Sequence, residues 1–101
     1  MKKKSDSFRD YVAEQLGPET RFRAMFGGHG LYLGDAFYGI IAKGRLYFRT
    51  GPMTRADYVS RGMKPFKPNS RQTLKSYYEV PVEVLEDAET LRAWARRASA
   101  R

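Results

Sequence analysis

Ala24-Met25-Phe26-Gly27-Gly28-His29-Gly30-Leu31-Tyr32-Leu33-Gly34-Asp35-Ala36-Phe37-Tyr38-Gly39-Ile40-Ile41-Ala42-Lys43-Gly44-Arg45-Leu46-Tyr47-Phe48-Arg49-Thr50 is the stretch that decides the fold. It holds six of the nine glycines, and they punctuate three short runs rich in aromatic and aliphatic residues. Such punctuation predicts an antiparallel meander with tight turns. Leu31 and Leu33 point one way and Tyr32 the other, Gly34-Asp35 supplies a hairpin turn, and Phe37 to Ala42 returns. Lys43-Gly44 makes the next turn. In the third strand, Arg45 to Thr50, Leu46 and Phe48 share one face, which leaves Arg45, Tyr47 and Arg49 on the other.

Outward from that meander, Phe8, Tyr11, Val12 and Leu16 recur at helical spacing. They predict an amphipathic helix over about residues 6 to 16, stopped by Gly17-Pro18. Arg21 to Phe26 is readable either as a short strand or as an extended connection. Beyond the meander, Gly51-Pro52 breaks the sheet and Thr54 to Gly62 reads as a second helix, capped by Thr54 and closed by Gly62. Pro65 and Pro68 make Lys64 to Asn69 extended and edge-like. Thr73 to Val80 alternates as a strand. Pro81 to Ala98 carries Val84, Leu85, Leu91, Trp94 and Ala98 at helical spacing, and Asp87 is placed to cap its second part. Acids gather at the start of this last helix and arginines at its end, as the helix dipole favours. The expectation is an α+β two-layer sandwich: an antiparallel sheet of about five strands with three helices on one face.

The 101 residues make one domain, 1–101, with residues 1–5 expected to be disordered. The chain has no cysteine, which removes disulfides and thiolate chemistry and points to a cytoplasmic location. Lys2-Lys3-Lys4 is not followed by the apolar core of a secretory signal, and no apolar run reaches the roughly 18 residues of a membrane span. No membrane partner is expected. The net charge is +8. Nine basic residues and one acid lie between Lys43 and Lys75, so the whole excess belongs to the middle third of the chain.

The residues carry a family resemblance. Met25-Phe26-Gly27-Gly28-His29-Gly30-Leu31-Tyr32, Gly44-Arg45-Leu46-Tyr47, Ser76-Tyr77-Tyr78-Glu79-Val80-Pro81 and Trp94-Ala95-Arg96-Arg97 closely resemble the N-terminal domain of the TfoX/Sxy competence regulators. The resemblance runs from about Phe8 to the end. It implies a secretion-chaperone-like fold, α-β-β-β-α-β-β-α, and a link to the regulation of DNA uptake and transformation. Longer members carry a second, C-terminal domain, so the expectation here is a stand-alone N-terminal-like module. The family offers no catalytic residues to carry over.

Candidate chemistry is sparse. Gly27-Gly28-His29-Gly30 suggests a phosphate loop, but a strand follows it where such a loop needs a helix start. His29 is the one histidine, Asp35 is the nearest carboxylate in sequence, and a metal site would need further ligands. Only His29 offers an imidazole base, and no serine has nucleophile-elbow spacing. Glu86, Asp87 and Glu89 are explained by capping. No enzyme activity, metal or cofactor is therefore expected. The basic and aromatic middle third is the strongest signal: Arg45, Tyr47, Arg49, Lys64, Lys67, Arg71 and Lys75 form a candidate surface for anions or nucleic acid, set against a plain solvated face. The favoured function is a regulatory or adaptor module acting through protein contacts, with a homodimer among the arrangements considered. Nucleic-acid binding through Lys43 to Lys75 is the alternative.

Overall fold

The computed structural model describes residues 4–25 and 27–100, with side chains from Ser7 onward. Ten elements follow in order: α1 (Lys4–Leu16), β1 (Thr20–Met25), β2 (Gly28–Leu33), β3 (Ala36–Ala42), β4 (Arg45–Arg49), α2 (Pro52–Val59), β5 (Pro65–Asn69), β6 (Gln72–Glu79), α3 (Val82–Leu85) and α4 (Ala88–Ser99). The strands form one antiparallel sheet in the order β1-β2-β3-β4-β6-β5. The α+β sandwich is thus as the sequence predicts, with six strands where about five were expected. The sixth is β1. Arg21-Phe22-Arg23 alternates for too few residues to declare itself, and pairing along the whole of β2 settles the matter.

Other boundaries shift for local reasons. α1 begins at Lys4, two residues ahead of expectation, and Tyr11 is 39% exposed although its spacing placed it with the buried face. Of residues 1–5, expected to be disordered, Lys4 and Ser5 are helical, while residues 1–3 lie outside the described residues, as does Phe26 at the end of the Arg21 to Phe26 segment. α2 begins at Pro52, because proline at the first helical position needs no N–H partner. Thr54 serves from inside that first turn: its Oγ1 accepts the Gly51 N–H at 2.9 Å. The last helix is divided at Glu86-Asp87, and Asp87 caps α4 by accepting the Thr90 N–H.

The main core lies between the sheet and the four helices. Val12, Leu31, Tyr38, Leu46, Phe48 and Leu91 are its most enclosed members. Trp94 of α4 meets Tyr58 of α2 edge-on at 4.8 Å, and Arg61 and Arg97 lie over its ring. Arg97 also pairs with Asp57 at 2.6 Å, tying α4 to α2.

One irregularity matters for both faces. Leu31 pairs with Gly39 but Tyr32 pairs with Phe37, so Tyr38 is an extra residue in β3. The bulge turns Tyr38 to the helix side, where its hydroxyl shares a 2.7 Å hydrogen bond with Thr20. Burial pushes the Tyr38 phenol up to about 12, against a smaller lowering by Thr20. Phe37 is left facing the other side.

Candidate functional site

The side of the sheet that bears no helix among the described residues carries a second cluster, formed by Ile40, Ala42 and Phe66 with Phe37, Tyr47, Leu74 and Tyr77 half-buried around them. Its buried members lie on β3 and β5, with β4 and β6 between them. A flat sheet would hold β3 and β5 about 14 Å apart, so the sheet must curl here. The register slips on either side of Phe66 accommodate that curl.

This open face is aromatic and basic around its buried members. Tyr32 and Phe37 lie 5.2 Å apart between ring centres, Phe37 and Tyr77 5.7 Å, and Tyr47 and Phe66 4.7 Å. On β1, Arg21 lies over the Tyr32 ring at 6.0 Å and donates to the Gly34 carbonyl. Arg23 stands opposite Gly30 in register, and a side chain at Gly30 would run into Met25 and Phe37. Arg23 therefore borders the same face.

At the other end, Lys43, Arg45 and Lys67 surround a pocket of about 230 Å³ floored by Ala42, Tyr47 and Phe66. Local backbone chemistry builds this corner. Lys43 and Gly44 both have positive φ, 52° and 72°, as a tight two-residue hairpin turn requires. At Gly28 a Cβ would collide with the Ile41 carbonyl oxygen, so only glycine lets β2 approach β3 so closely. Burial raises the Tyr47 phenol; Glu79 raises it further and Arg45 opposes. Burial likewise raises Tyr77. Both rings are uncharged at neutral pH.

A second concavity, of about 440 Å³, lies on the helix side among α1, α3 and the ends of β4 and β6. Phe8, Leu46, Met63, Val80 and Leu85 line it, and Val82 stands at its edge with 61% of its surface exposed. Its charged groups satisfy one another: Arg45 with Glu79 at 3.0 Å and Arg61 with Glu83 at 3.7 Å. Arg45 borders both this groove and the open-face pocket.

The seven residues singled out by sequence are thus divided. Arg45, Tyr47 and Lys67 come together at the pocket. Arg49 is turned to the last helix, where Nε and Nη2 donate to the Ala98 and Ala100 carbonyls at 3.2 Å each. Lys64 precedes β5, Arg71 sits in the β5–β6 turn and Lys75 is exposed on β6. Sequence reasoning did not single out Arg21, Arg23, Tyr32, Phe37 and Phe66. The Arg21-Phe22-Arg23 alternation was the available signal, and it depended on recognising β1. His29 lies half-buried in β2 opposite Ala24 and Ile41. Among the described residues, no group of three or more His, Asp or Glu is placed to hold a metal ion, and no helix is long and apolar enough to cross a membrane.

The fold is a two-layer α+β sandwich whose sheet has one helix-covered face and one open, aromatic, basic face. The chain belongs to the TfoX N-terminal domain family, whose model matches residues 10–101. It is also similar to the DNA transformation protein TfoX1 of Aliivibrio fischeri (strain ATCC 700601 / ES114), with 37% identity over 60 residues. That match covers 57% of this chain and 29% of the relative's length.

Proposed function

We propose that the chain is a non-enzymatic regulatory module, related in role to the DNA transformation protein it resembles, and that it acts as an adaptor through protein contacts. The observation that carries this reading is the helix-side groove. Its floor is apolar, its rim charges are already paired, and Val82 projects from its edge. A surface of that kind gains from covering by an apolar segment of another protein and gains little from an anion. The partner's chemistry is therefore that of an amphipathic protein segment.

The test is recovery of partners from native cytoplasm by immobilised wild-type and variant chains. Val82→Asp is expected to release a protein that wild type retains, while Lys67→Glu, on the open face, retains it. If Val82→Asp holds the same proteins as wild type, the groove is not the contact surface. Nucleic-acid binding, the other reading of the basic segment, falls to the open face and not to the groove.

A further inference from the structure

We propose that the open face of the sheet binds single-stranded nucleic acid, with one base on Tyr47 in the pocket between Lys43 and Lys67 and its neighbours along the Tyr32, Phe37 and Tyr77 rings. This goes beyond the protein-contact reading and stands on a different surface.

The first ground is the distribution of charge. Several arginines elsewhere in the molecule have structural work: Arg49 holds the end of α4, Arg55 donates to Thr50, and Arg61 and Arg97 pair with acids. At the open face, Lys43 and Lys67 are exposed and form no ion pair among the described residues, and Arg23 is likewise exposed. The carboxylate at this corner, Glu79, is taken by Arg45 through both oxygens at 3.0 Å. What remains uncompensated is cationic.

The second ground is that the cations frame rings. Single-strand sites combine a basic track with aromatic faces on which bases stack, each stack being worth about 1–3 kcal/mol. The row Tyr32, Phe37, Tyr77 and the half-buried Tyr47, backed by the buried Phe66, provide such faces from β2 to β6. Measured along the curled surface, the five strand spacings from β1 to β5 come to about 24 Å, room for about four nucleotides. A duplex keeps its bases stacked on one another, so it meets the lysines but not the rings.

The third ground excludes a second copy of the chain on this face. Apposing two such surfaces would bring unpaired lysines and arginines together, and like charges across an interface oppose association. An apolar partner would have to strip water from the same cations.

The test is fluorescence anisotropy with a short fluorescein-labelled oligothymidylate and, in parallel, a duplex of the same length. If Arg21, Arg23, Lys43 and Lys67 each neutralise a phosphate, log affinity falls with log salt at about −0.7 per contact. Raising salt from about 50 to about 200 mM should then weaken binding about 50-fold. Tyr47→Leu keeps the corner apolar but removes the stacking face, and is expected to lower affinity at least about fivefold. Lys43→Asn suits the positive φ and should reduce the salt slope by about 0.7. Lys67→Glu, at an exposed position, should weaken binding without moving the thermal midpoint. The proposal is overturned by absence of binding at about 50 mM salt. It is equally overturned by equal affinity for duplex with no effect of Tyr47→Leu, which would mark a simple polycation. If the oligomer does not bind and Lys67→Glu releases the same protein that Val82→Asp releases, the open face is a protein contact and this proposal fails. Loss of the Val82→Asp effect alone leaves it intact.

Discussion

The two faces of the sheet are made by the same strands and end as different kinds of surface. In β4, Leu46 and Phe48 are 2% and 0% exposed beneath the helices, while Arg45 is exposed and Tyr47 half-buried on the other side. On the covered face the polar groups close on themselves, as Thr20 does with Tyr38. On the open face, lysines remain uncompensated beside partly exposed rings. The difference teaches that alternation alone makes two apolar-bearing faces. What lies above each, four helices or a curled hairpin edge, decides whether that face stabilises the fold or meets a ligand.

The largest effects should fall on the covered face. Phe48→Ala removes a fully enclosed ring and is expected to cost about 3–5 kcal/mol, lowering the thermal midpoint by at least about 12 °C. Tyr47→Leu, on the same strand but the other side, should cost under about 1.5 kcal/mol in the same calorimetric measurement. Equal losses would dissolve the distinction between the faces.

The buried hydroxyl pair gives an intermediate effect and a pH signature. Tyr38→Phe leaves Thr20 without its partner and is expected to cost about 1–3 kcal/mol, part of it recovered by adding Thr20→Val. The folded state favours the protonated phenol, since burial raises Tyr38 from 10.0 to about 12 and raises Tyr58 as well. That contribution is complete below about pH 10 and is lost as pH rises from there towards about 12. Denaturant midpoints should be flat on the alkaline side of neutrality and then fall, and Tyr38→Phe should blunt the fall. The open-face phenols Tyr47 and Tyr77 are raised too, so tyrosinate absorbance of the folded protein should keep rising beyond the ordinary range.

How far the sequence carried these distinctions differs by residue. The opposition of Leu46 and Phe48 to Arg45 and Tyr47 was legible because β4 alternates without interruption. The side on which Tyr38 falls was not, because an inserted residue changes a strand's phase and leaves no mark in composition. Arg45 and Arg49 read alike from spacing, four residues apart on one strand face. Their partners are Glu79 and the carbonyls of Ala98 and Ala100, far along the chain, and only the assembled sheet tells them apart. The aromatic row was hidden for a related reason. Tyr32, Phe37 and Tyr77 come from three strands, and only the assembled sheet puts the Phe37 ring within 6 Å of each of the other two.

The smallest effect isolates the residue that borders both concavities. Glu79→Gln removes the ion pair with Arg45, whose side chain is 60% exposed, so stability should change by less than about 1 kcal/mol. Yet the change turns Arg45 from a satisfied group into a free cation beside Tyr47. If the open face takes single strands, one added phosphate contact should raise affinity about fivefold at about 0.1 M salt and steepen the salt slope by about 0.7. The Tyr47 phenol reports the same change, since Glu79 is among the groups holding it up; its titration should move back towards the ordinary value without reaching it, because burial persists. A lowered affinity, with that shift present, would mean that the ion pair positions the pocket and that Arg45 does not itself touch the strand.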